Sequence, residues 1–163
     1  ERMHEDSLGN KGVVRAGEIQ YMSAGTGVLH AEFNASKTNP LHLIQMWVLP
    51  EKEKLKPAWA QKSFSREEKM NQLLCVVSKK KSEKAMPIRQ DAAFHLSIVM
   101  KGKKREWRPA YSHQYIFVID GGIRVNGTQT LNKQDSAKVM GEEMLEFEGL
   151  ENAHFVVWDC AEQ

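Results

Sequence analysis

The sequence has little cysteine, no long apolar run and no strong charge of either sign. Cys75 and Cys160 are the two cysteines, and neither belongs to a C-x-x-C pair. Each lies in an apolar run, which favours buried thiols over a disulfide or a catalytic role. The longest apolar stretch, residues 41–49, is interrupted by His42 and Gln45 and is far shorter than the roughly 18 residues that cross a bilayer. The sequence therefore predicts no membrane association.

The charge balance also excludes some partners. Lysine and arginine number 23 against 21 aspartates and glutamates, and the sequence pI is about 8.5. So small an excess does not predict nucleic-acid binding, which relies on neutralising many phosphates. Residues 1–6 are mostly charged and precede no apolar segment of a secretory signal. We therefore expect a cytoplasmic protein without a nucleic-acid partner.

The pattern of apolar residues is typical of an all-β protein. Helical periodicity is confined to residues 65–71, where Ser65 can cap a first turn that contains Glu67 and Glu68. Gly9-Asn10 predicts a turn, and Asp120-Gly121 and Asn126-Gly127 are the clearest hairpin signals. Short β-branched or aromatic runs separated by such Gly and Asn turns predict strands in a sandwich or barrel. These runs are residues 18–22, 28–34, 41–49, 73–78, 94–100, 115–119, 123–126 and 155–159. A polar run at 79–84 predicts either the connection between two β units or a long hairpin tip, with the boundary between the units near it.

One predicted strand carries a metal-binding pattern. Alternate residues of a strand share a face, so His30 and Glu32 point together while Leu29, Ala31 and Phe33 point the other way and can pack against a second sheet. An imidazole and a carboxylate suit Fe, Mn, Ni, Cu or Zn. Two donors are too few for a stable site. The residues by themselves leave a second interpretation open, a polar strand face with a cross-strand hydrogen bond.

Three runs of the sequence together resemble the core of pirin and the pirin-like quercetinases. They are residues 4–9 (HEDSLG), 16–32 (AGEIQYMSAGTGVLHAE) and 42–50 (HLIQMWVLP). Residues 121–127 and 155–159 are similar to the second cupin of that family. The resemblance implies an all-β cupin fold, a double-stranded β-helix with two units. We expect a partial first cupin at 1–78, a connection at 79–91 and a second cupin at 92–163.

The resemblance also implies a metal site. In pirin-like proteins one metal, usually iron, is held in the first cupin by an early His-x-His pair and a later His and Glu. The later pair matches His30 and Glu32, and Glu32 is also the candidate catalytic base. The early pair has no counterpart, because the chain begins downstream of it. We therefore expect an incomplete site that holds iron or another divalent transition metal weakly or not at all.

The remaining histidines fall outside the ligand positions that the resemblance implies. His4 and His42 lie within the matching runs and are expected to be hydrogen-bonded structural residues. His95, His113 and His154 lie in the second unit, where the family holds no metal.

Two functions follow from the resemblance. The first is a metal-dependent dioxygenase of the quercetin 2,3-dioxygenase type, in which the metal holds a deprotonated flavonol and brings O₂ to it. The second is a non-catalytic cupin that binds a small aromatic ligand or a protein partner, since pirins are also linked to transcription factors. A barrel without its early strands exposes unpaired edges, which favours a homo-oligomer.

Overall fold

The computed structural model describes residues 1–80 and 83–162, and it confirms an all-β molecule of the cupin class. Strands account for 50% of the residues and helix for 2%. The chain divides into two compact units, Glu1–Phe64 and Ser65–Gln163.

The first unit contains two small antiparallel sheets. The strand order is β2-β1-β4 in the three-stranded sheet, and β3 pairs with β5 in the other. The register places His4 opposite Glu32 and Asp6 opposite His30. The strands of this unit are β1 (Arg2–Asp6), β2 (Lys11–Val14), β3 (Glu18–Ser23), β4 (His30–Asn34) and β5 (Ala58–Ser63).

Asp6 and Gly9 shape the turn between β1 and β2. Oδ1 of Asp6 accepts hydrogen bonds from the backbone N–H groups of Leu8 and Asn10, both at 2.9 Å. Gly9 has a φ of 86°, in the left-handed region that glycine enters without strain. The turn predicted at Gly9 and Asn10 is confirmed, and it fixes Asp6 at the end of β1.

The strand predicted at residues 41–49 is wrong. These residues belong to no sheet among the parts of the chain that the structure describes, and Trp47 and Leu49 are exposed. A β-branched and aromatic run favours extended backbone, but a strand also requires a neighbour for its N–H and C=O groups. No neighbouring strand pairs with this run in the described residues.

The second unit begins with a short helix, α1 (Arg66–Lys69). Oγ of Ser65 accepts a hydrogen bond from the backbone N–H of Glu68 at 3.2 Å, and the backbone N–H of Ser65 donates to the Glu68 carboxylate at 2.8 Å. This reciprocal pair confirms the predicted N-cap. In residues 1–80 and 83–162 no helix has the length and apolar character required to cross a bilayer.

Two antiparallel layers form the rest of the second unit. The larger sheet has the order β13-β10-β15-β8-β6-β7, with β7 parallel to β6, and the smaller has the order β12-β11-β14-β9. The strands are β6 (Leu73–Ser78), β7 (Met86–Pro87), β8 (Ala92–Val99), β9 (Lys104–Trp107), β10 (His113–Asp120), β11 (Ile123–Val125), β12 (Gln129–Leu131), β13 (Ser136–Met140), β14 (Leu145–Gly149) and β15 (Ala153–Cys160).

The hydrophobic core of this unit lies between its two sheets. Both sheets contribute alternate residues of their strands, and every residue of β8 is buried. Continuous burial explains why β8 is nearly apolar throughout rather than alternating. The core side chains are Val99, Ile116, Val118, Ile123, Val125, Leu131, Leu145, Phe147, Ala153, Phe155 and Val157.

Two glycine turns of the second unit have different roles. Asn126 and Gly127, with φ of 48° and 70°, join β11 to its partner β12, which confirms the predicted hairpin. The hairpin predicted at Asp120 and Gly121 is wrong, because β10 and β11 lie in different sheets. A Cβ on Gly121 would lie 2.6 Å from the backbone oxygen of Asn152, so this turn needs glycine to carry the chain from one sheet to the other.

The boundary between the units lies upstream of the predicted connection. The chain divides after Phe64, whereas the sequence predicts a first cupin that extends to residue 78 and a connection at 79–91. Strand β6 pairs with β8 and therefore belongs to the second unit. The predicted bounds of the cupin units stay a prediction, and Lys81, Ser82 and Gln163 lie outside the described residues.

Candidate functional site

His30 and Glu32 lie two residues apart on β4 and therefore share one face of the sheet. The antiparallel register brings residues of β1 onto the same face, with His4 opposite Glu32 and Asp6 opposite His30. Arg2, two residues before His4, also lies on this side. We call these five residues the His30–Glu32 face.

Glu32 is held by an arginine. Nη1 of Arg2 donates to Oε1 of Glu32 at 2.8 Å, and a second nitrogen of the same guanidinium donates to the side-chain oxygen of Gln20. The ion pair is half-buried, with the side chains of Arg2 and Glu32 13% and 23% exposed. Partial burial reduces solvent screening, so this pair is stronger than an ordinary surface salt bridge.

His4 is a buried ring inside the His30–Glu32 face. The residue is 1% exposed, and its ring stacks on His30 with centroids 5.6 Å apart and on Trp59 at 6.1 Å. Nε2 of His4 lies 3.4 Å from Oδ2 of Asp6, and Nδ1 lies 3.8 Å from Oε1 of Glu32. Nδ1 has no hydrogen-bond partner among the described residues.

Asp6 sets the orientation of the His4 ring. Burial raises the pKa of Asp6, but hydrogen bonds from Asn10, Leu8 and His4 outweigh it and lower that pKa to about 2. An ionised carboxylate can only accept, so Nε2 of His4 carries the proton. In the neutral ring Nδ1 then has a lone pair and no proton to offer to Glu32.

The opposite face of β4 differs from the prediction. Leu29, Ala31 and Phe33 were expected to pack against a second sheet, but Leu29 is 82% exposed and Phe33 is 51% exposed. The prediction is wrong for the described residues, because β4 is the edge strand of a three-stranded sheet and no described element covers that side. His30 is exposed as well.

The other histidines lie outside β1 and β4, the strands that form the His30–Glu32 face. His42 is exposed within residues 41–49, which carry no strand. In the second unit, burial lowers the pKa of His95 to about 4 and also lowers the pKa of His154. His95 packs against Trp107 with ring centroids 4.9 Å apart.

Asp159 is a buried polar residue of the second unit that the sequence analysis did not predict. This carboxylate is 0% exposed and accepts hydrogen bonds from the backbone N–H of Ala110 at 2.7 Å and from Nε2 of Gln114 at 3.0 Å. Burial raises its pKa although these hydrogen bonds lower it. The available signal was its position, since Asp159 follows Phe155 and Val157 on the core-facing side of β15.

The described residues supply part of a metal coordination shell and not a complete one. His30 and Glu32 offer two donors, and the orphaned Nδ1 of His4 lies next to Glu32. Among residues 1–80 and 83–162, however, no three His, Cys, Asp or Glu side chains form a group that could hold a metal ion. A buried ring that stacks on two other rings cannot turn towards a metal without repacking, so His4 does not complete the shell.

Comparison with known protein families gives two matches along the chain. The family described as Pirin matches residues 1–48, and the family described as Quercetinase C-terminal cupin domain matches residues 75–160. The second match alone covers more than half of the chain.

Individual relatives agree with these matches. The chain is 31% identical to the quercetin 2,3-dioxygenase of Escherichia coli K12 over 157 residues, which is 96% of this chain and 66% of that protein. It is 31% identical to a pirin-like protein of Caulobacter vibrioides over 160 residues, 97% of this chain and 68% of that protein. The chain thus spans about two thirds of the length of the curated relatives it matches.

Solved structures show the same fold. The crystal structure of YhhW from Escherichia coli superimposes with a TM-score of 0.90 at 29% identity, covering 98% of this chain and 67% of that one. A second structure, of bacterial pirin YhhW in complex with nickel(II), has a TM-score of 0.88 at 28% identity, with the same coverage of both chains. With both family matches and relatives above 30% identity, the chain belongs to the pirin family of cupin proteins.

Proposed function

We propose that this pirin-like cupin acts as a metal-dependent dioxygenase of the quercetin 2,3-dioxygenase type. The observation that carries the proposal is the projection of His30 and Glu32 from one face of β4, in a chain whose relatives include a quercetin 2,3-dioxygenase. The nickel(II) complex of YhhW supports a divalent transition metal as the cofactor. Iron is the metal that the sequence resemblance implies.

In this proposal the two side chains have distinct tasks. The imidazole of His30 and the carboxylate of Glu32 are the metal ligands that the described residues contribute. Glu32 is also the acceptor for a phenolic proton of a flavonol, because a carboxylate has a second oxygen that can accept a proton, whereas the ring nitrogen of His30 that binds a metal has no lone pair left for one. With only two donors in place, metal binding is weak and turnover by this chain is low.

Metal content and turnover measured together test the proposal. We expect purified protein loaded with Fe²⁺ or Ni²⁺ to consume O₂ in the presence of quercetin, with loss of the flavonol absorbance. His30→Ala should lose both the metal and the turnover, whereas His42→Ala, which replaces an exposed histidine of the same unit, should keep both. Equal metal content and equal O₂ uptake in the two variants would refute the role of His30.

A second candidate function is a non-catalytic cupin that binds a small aromatic ligand or a protein partner. Two observations favour it: Glu32 is already paired with Arg2, and the described residues hold no group of three donors. An open cavity of about 300 Å³ lies on the first unit, large enough for a small ligand. It is lined by Met3, His4, Glu5, Lys11, Gly12 and Val13. Folded protein that stays metal-free after incubation with Fe²⁺ and Ni²⁺ would support this function over the enzymatic one.

A further inference from the structure

Arg2 is the residue of the His30–Glu32 face that forms an ion pair with Glu32. Its guanidinium donates to Oε1 of Glu32 at 2.8 Å and is anchored by a second hydrogen bond to Gln20 on β3. The planar fork of an arginine holds such a pair of acceptors in fixed directions. Arg2 is therefore oriented by two contacts at once, and it in turn fixes the carboxylate of Glu32.

Of the neighbouring side chains, neither His4 nor Gln20 compensates the negative charge of Glu32. Nδ1 of His4 is 3.8 Å from Oε1 of Glu32, beyond hydrogen-bond distance, and Nε2 of the same ring lies beside Asp6. Gln20 is neutral and contacts the guanidinium rather than the carboxylate. The short, charged contact of Glu32 is thus the one with Arg2.

We propose that Arg2 is the positively charged partner of Glu32 and the positioning residue for its carboxylate. A divalent metal therefore binds at this face only in competition with the guanidinium of Arg2. The inference rests on the proposed function, because it takes Glu32 as a metal ligand. A carboxylate oxygen that accepts from an arginine has less electron density to offer a metal, and two cations at one carboxylate repel each other. Arg2 therefore lowers the metal affinity of the His30–Glu32 face and restricts Glu32 to one rotamer.

Replacing Arg2 by an uncharged side chain of similar length should strengthen metal binding. We expect Arg2→Met and Arg2→Gln to bind Ni²⁺ roughly ten-fold more tightly than the unmodified chain, the factor that corresponds to one hydrogen bond between charged groups. Arg2→Lys keeps the positive charge and should bind Ni²⁺ as weakly as the unmodified chain. Arg15→Met is the matched control, because Arg15 pairs with Glu1 at the surface of the same unit and should have no effect.

The experiment is a calorimetric titration of Ni²⁺ into the unmodified chain and each variant, with circular dichroism spectra and thermal melts to establish that each one is folded. If Arg2→Met and Arg2→Gln bind Ni²⁺ and the unmodified chain does not, the competition is supported. The proposed function is then contradicted, because it requires the unmodified chain to bind a metal. Equal Ni²⁺ affinity in the unmodified chain, Arg2→Met and Arg2→Gln would overturn the role of Arg2 and leave the metal proposal standing. No Ni²⁺ binding in any protein would overturn both. Tight binding by Arg2→Lys would also overturn the inference, because the charge would then not be the cause.

Discussion

Between pH 7 and pH 4 the second unit should lose stability because of one buried imidazole, that of His95. The residue is 8% exposed on the central strand β8, opposite Val157 of the core, and its ring makes an edge-to-face contact with Trp107. Nδ1 has no hydrogen-bond partner among the residues that the structure describes. Burial of the imidazole disfavours its charged form and lowers its pKa from 6.5 to about 4.

The direction and size of the effect follow from proton linkage. The folded protein keeps His95 neutral down to about pH 4, while the unfolded chain takes up a proton near pH 6.5. The stability that His95 contributes is therefore fully present above pH 6.5 and is lost as the pH falls through about 4. Each pKa unit corresponds to about 1.4 kcal/mol, so the loss amounts to roughly 3 kcal/mol. That is a large share of the 5–15 kcal/mol typical of a domain.

Urea unfolding at a series of pH values measures this loss, with tryptophan fluorescence as the signal. His95→Phe keeps an aromatic edge against Trp107 but cannot titrate, so the difference in unfolding free energy between the two proteins should change by roughly 3 kcal/mol from pH 7 to pH 4. Carboxylates that titrate in the same range contribute equally to both proteins and cancel. His113→Phe, at a half-exposed position of the same unit, is the control for replacing a histidine by phenylalanine. Parallel profiles for the unmodified protein and His95→Phe would refute the reasoning.

Two further predictions concern other parts of the chain. Asp159→Asn should destabilise the second unit by roughly 1–3 kcal/mol in urea unfolding, because an amide nitrogen would face the donors of Ala110 or Gln114, and exposed Glu143→Gln should cause no measurable change. An equal effect of both substitutions would contradict this. Light scattering should detect a homo-oligomer of the chain, since Phe33 on the edge strand β4 and Leu29 just before that strand are exposed. Phe33→Lys should shift it towards monomer, and a monomer in the unmodified protein would rule this out.

Several local features of the fold could be predicted from short stretches of adjacent residues. The Ser65 cap, the turn at Gly9 and Asn10 and the hairpin at Asn126 and Gly127 each depend on a few adjacent residues, and each was predicted correctly. The wrong predictions concern segments whose structure depends on residues far away in the sequence. Residues 41–49 have strand composition but pair with no strand in the described part of the chain. Asp120 and Gly121 have hairpin composition but connect two different sheets.

The candidate site shows the same division. The spacing of His30 and Glu32 on a strand was enough to place them on one face, because side-chain alternation is a local property of extended backbone. The presence of Arg2, His4 and Asp6 on that face depends on the register between β1 and β4, strands about 25 residues apart in sequence. No spacing rule within either strand indicates that register.

By itself, the sequence determined that this protein is a β-rich cupin of the pirin family and that an imidazole and a carboxylate project together from one strand. The tertiary structure alone decided that Glu32 is paired with Arg2 and that His4 is buried and stacks on His30 and Trp59. It also decided that an imidazole at His95 and a carboxylate at Asp159 lie in the interior of the second unit. The physical reason is that alternation and turn chemistry act between neighbours in the chain. Ion pairing, burial and the pKa changes that follow from them depend on which distant strands become neighbours in space.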